Sequence, residues 1–207
     1  MRRKTLDLIL TLVGAGVTVA LVVAGVLLMW GYSFANNNVH NQLAEQQITF
    51  PPAAAFAHPV VGTEITPSMI PSVSQYAGQP LTTGKQAEAY ANDFIAVHLK
   101  EIGGGLTYSE LSAKAMALPK GSAAYTAAEG QVQTVFQGTT LRGLLLEAYA
   151  FWQFGQIALF GAIVCFILAA LMLILTIVGF IHFRRTPEDQ EFPKAHHVAD
   201  EKTPATV

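Results

Sequence analysis

Two stretches of the chain are almost wholly apolar: Leu8 to Trp30 and Ile157 to Ile181 contain no charged side chain. Each is longer than the ~20 apolar residues that cross a hydrocarbon core as a helix. A strand of that composition would leave its backbone groups unsatisfied in lipid, so both are expected to be helices. Between them, apolar residues recur at helical spacing in short pieces, and beyond Thr186 the chain turns polar and proline-containing. The pattern predicts a cytoplasmic N-terminus over 1–7, a transmembrane helix over 8–32, an extracytoplasmic helical domain over 33–155, a second transmembrane helix over 156–182 and a disordered cytoplasmic tail over 183–207. The fold class is all-α, two transmembrane helices with an irregular extracytoplasmic helical bundle between them.

Within the middle segment, Ser33 to Gln47 is expected to prolong the first helix outward until Pro51 and Pro52 stop it. Prolines and small residues from Phe50 to Pro71 read as an extended connector, and a short helix is expected from Pro67, capped by Thr66, to Gly78. A longer one runs from Lys85 to Ile102, introduced by Thr82 or Thr83 and stopped by Gly103, Gly104 and Gly105. Its apolar stripe is Ala87, Ala91, Phe94, Ile95 and Ile102, with His98 on the same face. Thr107 and Glu110 form the pattern of a capping box, opening a helix through Met116. Ser122 caps another, expected to bury Tyr125, Ala128, Val132, Val135 and Phe136 and to end at Gly138. A long helix is then expected to start at Thr139 or Thr140 and flow into the second span. No alternating pattern argues for a sheet.

Composition agrees with this division. Hydrophobic residues make up 52% of the chain and charged ones 13%, against about 25% charged in soluble domains. Arg2, Arg3 and Lys4 precede the first span and Arg184 and Arg185 close the second, which by the positive-inside rule places both ends in the cytoplasm of a cell (inner) membrane. Trp30 and Tyr32, with Phe151, Trp152 and Phe154, suit an aromatic belt at the outer interface. Ser33-Phe34-Ala35 resembles a signal-peptidase site, but the apolar run before it exceeds the ~7 to 15 residues of a signal sequence, so an anchor is expected. The one cysteine, Cys165, lies in the second span and allows no intrachain disulfide.

Candidate chemistry is sparse. His98, on an apolar helical face, is the polar residue of most interest, since a histidine there can titrate, ligate or simply bond to nearby backbone. His196 and His197, close to Asp200 and Glu201, have metal-like composition on a segment that fixes no coordination geometry. Gly103 to Gly105 has neither the preceding strand nor the lysine and hydroxyl of a phosphate loop. No nucleophile elbow is present. Lys85, Lys100, Lys114, Lys120 and Arg142 are outnumbered in the middle segment by Glu45, Glu64, Glu88, Asp93, Glu101, Glu110, Glu129 and Glu147, a balance that repels phosphates and argues against nucleic acid. Arg142 and Glu147 are expected near the outer interface. The spans themselves carry small residues at four-residue spacing, Gly16, Ala20 and Ala24 in the first and Gly161, Cys165 and Ala169 in the second. Such residues let helices approach closely, either the two spans or a span and another membrane protein. Neither span holds a charge of the kind that marks an ion path.

The runs Thr83 to Lys100, Gly104 to Tyr108 and Gly138 to Leu146 resemble a group of actinobacterial two-pass membrane proteins of unknown function, a resemblance that implies topology rather than a reaction. Some members of that group bear the label of an aromatic ring-opening dioxygenase small subunit. Such ring opening uses iron held by histidines and a carboxylate, whereas His40, His58 and His98 fall on different expected segments here. No enzyme activity, metal or cofactor is therefore expected. The expected function is a non-catalytic accessory protein of the bilayer that binds another membrane or envelope protein. The alternative is an extracytoplasmic ligand sensor without its own output domain.

Overall fold

A computed structural model describes residues 3–187. The expected tail beyond them, with His196 and His197, and Arg2 at the other end, lie outside the described residues. Those that are described fold into helices joined by turns, with no strand among them and one isolated bridge, between Thr49 and Pro80. Helix α1 spans Arg3–Glu45, followed by a 3-10 turn at Ala53–Phe56. A second 3-10 turn at Pro67–Met69 leads into α2 at Ile70–Val73 and a third at Ser74–Tyr76. Helix α3 is Gly84–Ala89, a π-helical segment occupies Tyr90–Ile95, and α4 is Ala96–Ile102. Helices α5, Tyr108–Met116, and α6, Ala123–Arg185, are the last among the described residues.

Helices α1 and α6 are both long and apolar enough to cross a membrane, and only 11% of the most apolar window of each is buried. Most of their apolar surface is thus left uncovered by the other described residues, unlike that of a helix buried in a core. The residues divide into two compact units, one made of Met1–Val26 with Ala162–Val207 and the other of Leu27–Gly161.

In the first unit the inward face is marked by small or hydroxyl-bearing residues. Gly14, Thr18 and Gly25 are buried on α1, and Ala162 and Ala169 on α6. A methyl group on Gly14 would lie 2.7 Å from Thr176 Oγ1, and one on Gly25 2.8 Å from the Phe166 ring. Absence of a side chain at these two points is what lets the helices touch.

The second unit has a conventional core. Phe50, Met69, Val73 and Leu81 are fully buried, and Val39 and Leu43 of α1 and Leu145 of α6 close over them. Phe50 meets Tyr76 at 5.2 Å and Tyr90 edge-on at 5.2 Å between ring centroids. Burying a phenylalanine of this kind contributes ~1.5–3 kcal/mol. A smaller cluster, Leu111 and Ala115 of α5 against Val132 and Val135 of α6, lies beside it.

The local signals act as their chemistry dictates, with three departures in capping, register and termination; apart from these, Phe136, expected to be buried, is 48% exposed because it falls off the α6 face that Val132 and Val135 turn to α5. Thr83 and Gln86 form a reciprocal capping box on α3, and Thr107 and Glu110 another on α5. Ser122 Oγ accepts the Tyr125 N–H at 3.1 Å at the start of α6. The first departure is Thr66, whose hydroxyl bonds to Ser68 Oγ at 2.9 Å instead of capping the turn that follows.

A second departure is the helix expected over 85–102, which is interrupted by the π-helical segment. The wider turn advances the register. Ala87, Ala91 and Ile95 remain buried, but Ile102 is exposed and Leu99 takes its place, packing on both core clusters.

Lastly, Gly138 does not stop a helix. Helix α6 runs through it, because Gly138 stands where a methyl group would meet Leu99 Cδ2 at 2.5 Å. The glycine makes room for a neighbour in mid-helix. No helix starts at Thr139 or Thr140.

Candidate functional site

In the second unit α1 and α6 leave a groove of about 420 Å³ between them. Its floor is Val39, Leu43 and Leu145, which belong to the core. The walls differ in chemistry. On the α6 side stand Leu141, Leu144 and Phe151, all exposed, with the carboxylate of Glu147. On the α1 side stand the amides of Asn38, Gln42 and Gln46. Gln42 Nε2 donates to Asn38 Oδ1 at 2.6 Å, one helical turn away. Below the groove an aromatic ladder continues, Phe151 edge-on to Phe34 at 6.4 Å and Phe34 stacked on Trp30 at 5.7 Å.

Leucines at this level of exposure follow from the sequence of α6. Leu141, Leu144, Leu145, Ala148 and Phe151 recur every three or four residues and so share one face. Leu145 is 3% exposed and Leu144 59%. One side of the seam is covered by α1 and the other is open.

Arg142 points away from this groove. Its Nη2 donates to Asn92 Oδ1 at 2.8 Å, tying α6 to the π-helical segment, while its buried Nε has no hydrogen-bond partner among the described residues. In that segment burial raises the pKa of the Tyr90 phenol above its ordinary 10.0, and Glu64 adds to the effect.

His98 is half-buried at the end of an aromatic run. Its Nδ1 lies 2.9 Å from the Phe94 carbonyl oxygen, and its ring sits edge-on to Phe94 at 4.6 Å. An open hollow beside it is lined by Gly62, Thr63, Glu64 and Glu101. His40 and His58 are exposed, on α1 and on the connector after the first 3-10 turn. Among the described residues no three His, Cys, Asp or Glu side chains come together as metal ligands.

The small residues singled out in the spans are placed unevenly. Gly16 has open space around it and Ala20 is exposed, whereas Ala24 is half-buried. Ala169 is buried, Cys165 is partly so, and a methyl group on Gly161 would lie 3.2 Å from Leu28 Cδ1. Sequence reasoning missed Gly14, Gly25 and Thr176, although Gly14, Thr18 and Gly25 keep to one face, four and then seven residues apart.

It also missed a polar cluster in the first unit. Asp7 Oδ2 lies 3.9 Å from His182 Nε2 and accepts from Thr186 Oγ1 at 3.4 Å. A cavity of about 230 Å³ beside it is lined by Thr11, Gly14, Met172 and Thr176. Thr11 donates back to the Asp7 carbonyl at 2.8 Å and Thr18 to that of Gly14 at 2.8 Å. Thr176 Oγ1 is buried without a hydrogen-bond partner among the described residues and rests against Gly14. Aspartate just before an apolar run is legible, but its histidine partner lies far along the chain. The chain matches no protein-family model, no curated protein and no solved structure.

Proposed function

We propose that this is a two-pass membrane protein of the cell envelope, non-catalytic, that works by holding a protein partner on the segment between its spans. On this reading residues 8–32 and 156–182 lie in the bilayer, both ends face the cytoplasm and residues 33–155 lie outside. Apolar windows left almost uncovered in both long helices support the spans, because such surface requires lipid or protein around it. Clustered basic residues at the ends of both apolar runs support the orientation.

The groove between α1 and α6 carries the binding reading. Leu141, Leu144 and Phe151 lie outside both apolar runs, where lipid tails do not reach them, yet they are exposed around a concave apolar floor. That arrangement suits helix-in-groove recognition.

Two measurements test the reading. With Cys165 replaced by Ser, a membrane-impermeant thiol reagent on intact cells labels Ser122→Cys and spares Lys4→Cys; the reverse pattern refutes the orientation. Mild-detergent extraction followed by size analysis and mass spectrometry yields a complex; a chain that always migrates alone as a monomer refutes the binding role.

A further inference from the structure

We infer that the groove between α1 and α6 is filled by the same groove of a second copy, two helix pairs closing into a four-helix bundle. This rests on the binding reading above and names the partner.

The seam on α6 has the three- and four-residue spacing of a bundle helix, but α1 covers only one side of it. Helices with such a seam are stable when further helices cover the rest. The polar rim says which helices. Among the described residues Glu147 is the only ionisable side chain lining the groove, a hydrogen-bond acceptor when charged, and it stands on the α6 wall. The α1 wall carries the amides of Asn38, Gln42 and Gln46, which both donate and accept; Gln42 gives one N–H to Asn38 Oδ1 and keeps the other for a carboxylate.

Two copies inserted the same way in one bilayer are related by an axis along the membrane normal, so every residue keeps its height. Around such an axis α6 of each copy abuts α1 of the other, and isologous contact places the same patch on both sides. The Glu147 carboxylate of one copy then meets amides of the other within the same band, while the two carboxylates sit on diagonally opposed helices. Leu144 and Phe151 enter the apolar floor between them. Donor and acceptor are both supplied by this one chain, and no foreign cation is needed to satisfy Glu147.

The test uses the full chain in membranes, with Cys165→Ser as background and Leu144→Cys as the probe. Leu144 is exposed, so this change leaves the core intact. A short bis-maleimide is expected to give a species of twice the monomer mass, and the same reagent on Lys120→Cys to give none. In nanodiscs the unmodified chain is expected to be dimeric by light scattering. Leu144→Glu, which sets two carboxylates in the apolar seam, is expected to abolish the dimer with helicity by circular dichroism unchanged. Crosslinking of Leu144→Cys only to a chain of different mass would overturn the second copy as occupant and leave the binding reading standing. A monomer in both the probe and the unmodified chain would overturn both.

Discussion

Helix pairing in the unit formed by Met1–Val26 and Ala162–Val207 and core packing in Leu27–Gly161 solve the same problem with opposite materials. In the first, the outward residues Leu12, Val13, Val19 and Leu175 are each more than half exposed, and the inward ones are Gly14, Thr18, Gly25, Ala162 and Ala169. Hydrophobicity does not separate inside from outside there; size does. With lipid around this pair, as proposed above, association gains from close contact rather than from burial, because lipid tails are as apolar as leucine. In the second unit the order is reversed, with Phe50, Met69 and Leu81 inside and charged residues such as Glu45, Lys85 and Glu101 outside, because removal of apolar surface from water drives the packing. Removal of bulk should therefore be felt most in the second unit, and addition of bulk wherever an inward glycine admits a neighbour.

The largest effect is expected where a bulky side chain is removed from the water-driven core. Phe50→Ala should cost about 3–5 kcal/mol, since the aromatic neighbours Tyr76 and Tyr90 are held by other contacts and cannot collapse into the space. Chemical denaturation in detergent, followed by circular dichroism, measures it. A loss below about 1 kcal/mol would mean that Phe50 is not the centre of that core.

Adding a single methyl group sharpens the comparison. In an ordinary helix Gly→Ala gains about 0.5–1 kcal/mol. At Gly84 the new Cβ would collide with Trp152 Cβ, an atom fixed close to the backbone of α6, so overpacking should reverse the sign and cost about 1–3 kcal/mol. Within the helix pair, Gly25→Ala should also destabilise, because the Phe166 ring is 2.8 Å from the new Cβ. Gly16→Ala should be neutral or stabilising, since nothing lies within 4 Å. Thermal unfolding of the three variants side by side checks the ranking; equal behaviour of Gly25→Ala and Gly16→Ala would break the distinction between inward and outward faces.

How far the sequence reveals all this depends on the range of the interaction. Helix starts at Thr83, Thr107 and Ser122 are legible because a cap bonds to residues three positions away. The apolar runs within the two long helices are legible because length and hydropathy are local sums, but the extent of α6, which begins at Ala123 and not near Thr139, is not. Gly138 is not, because a glycine that ends a helix and one that admits Leu99 look identical until the neighbour is known. The π-helical turn at Tyr90–Ile95 has no local mark, and its consequence, exchange of Ile102 for Leu99 in the core, follows from the changed register. Spacing misleads in the first span for a geometric reason. Residues 16, 20 and 24 drift around the helix by ~40° per step of four, whereas the step of four from 14 to 18 (about +40°) and the step of seven from 18 to 25 (about −20°) partly cancel and keep one face toward the partner. Of the groove, the leucine seam on α6 is readable from sequence; its open side is not, because only the position of α1 shows which half is covered.

The smallest expected effect lies on the surface of α5 and depends on pH. Glu110 accepts hydrogen bonds from the Thr107 backbone N–H and hydroxyl, both at 2.8 Å, and the backbone bond is the main reason its pKa is lowered from the ordinary 4.5, with Lys114 contributing in the same direction. A carboxyl with a lower pKa folded than unfolded binds its proton more readily in the unfolded chain. Its contribution is therefore complete above the unfolded value and lost as the pH falls through the folded one. Unfolding followed from pH 7 downward should show a slight loss of stability below the ordinary carboxylate range that Glu110→Gln does not share. In that variant the amide oxygen still accepts at the cap and the helix survives, so any pH slope common to both proteins belongs to other carboxylates. If the two curves stay parallel below pH 4.5, the lowered pKa of Glu110 is not coupled to folding, and α5 is held by Leu111 and Ala115 against α6 alone.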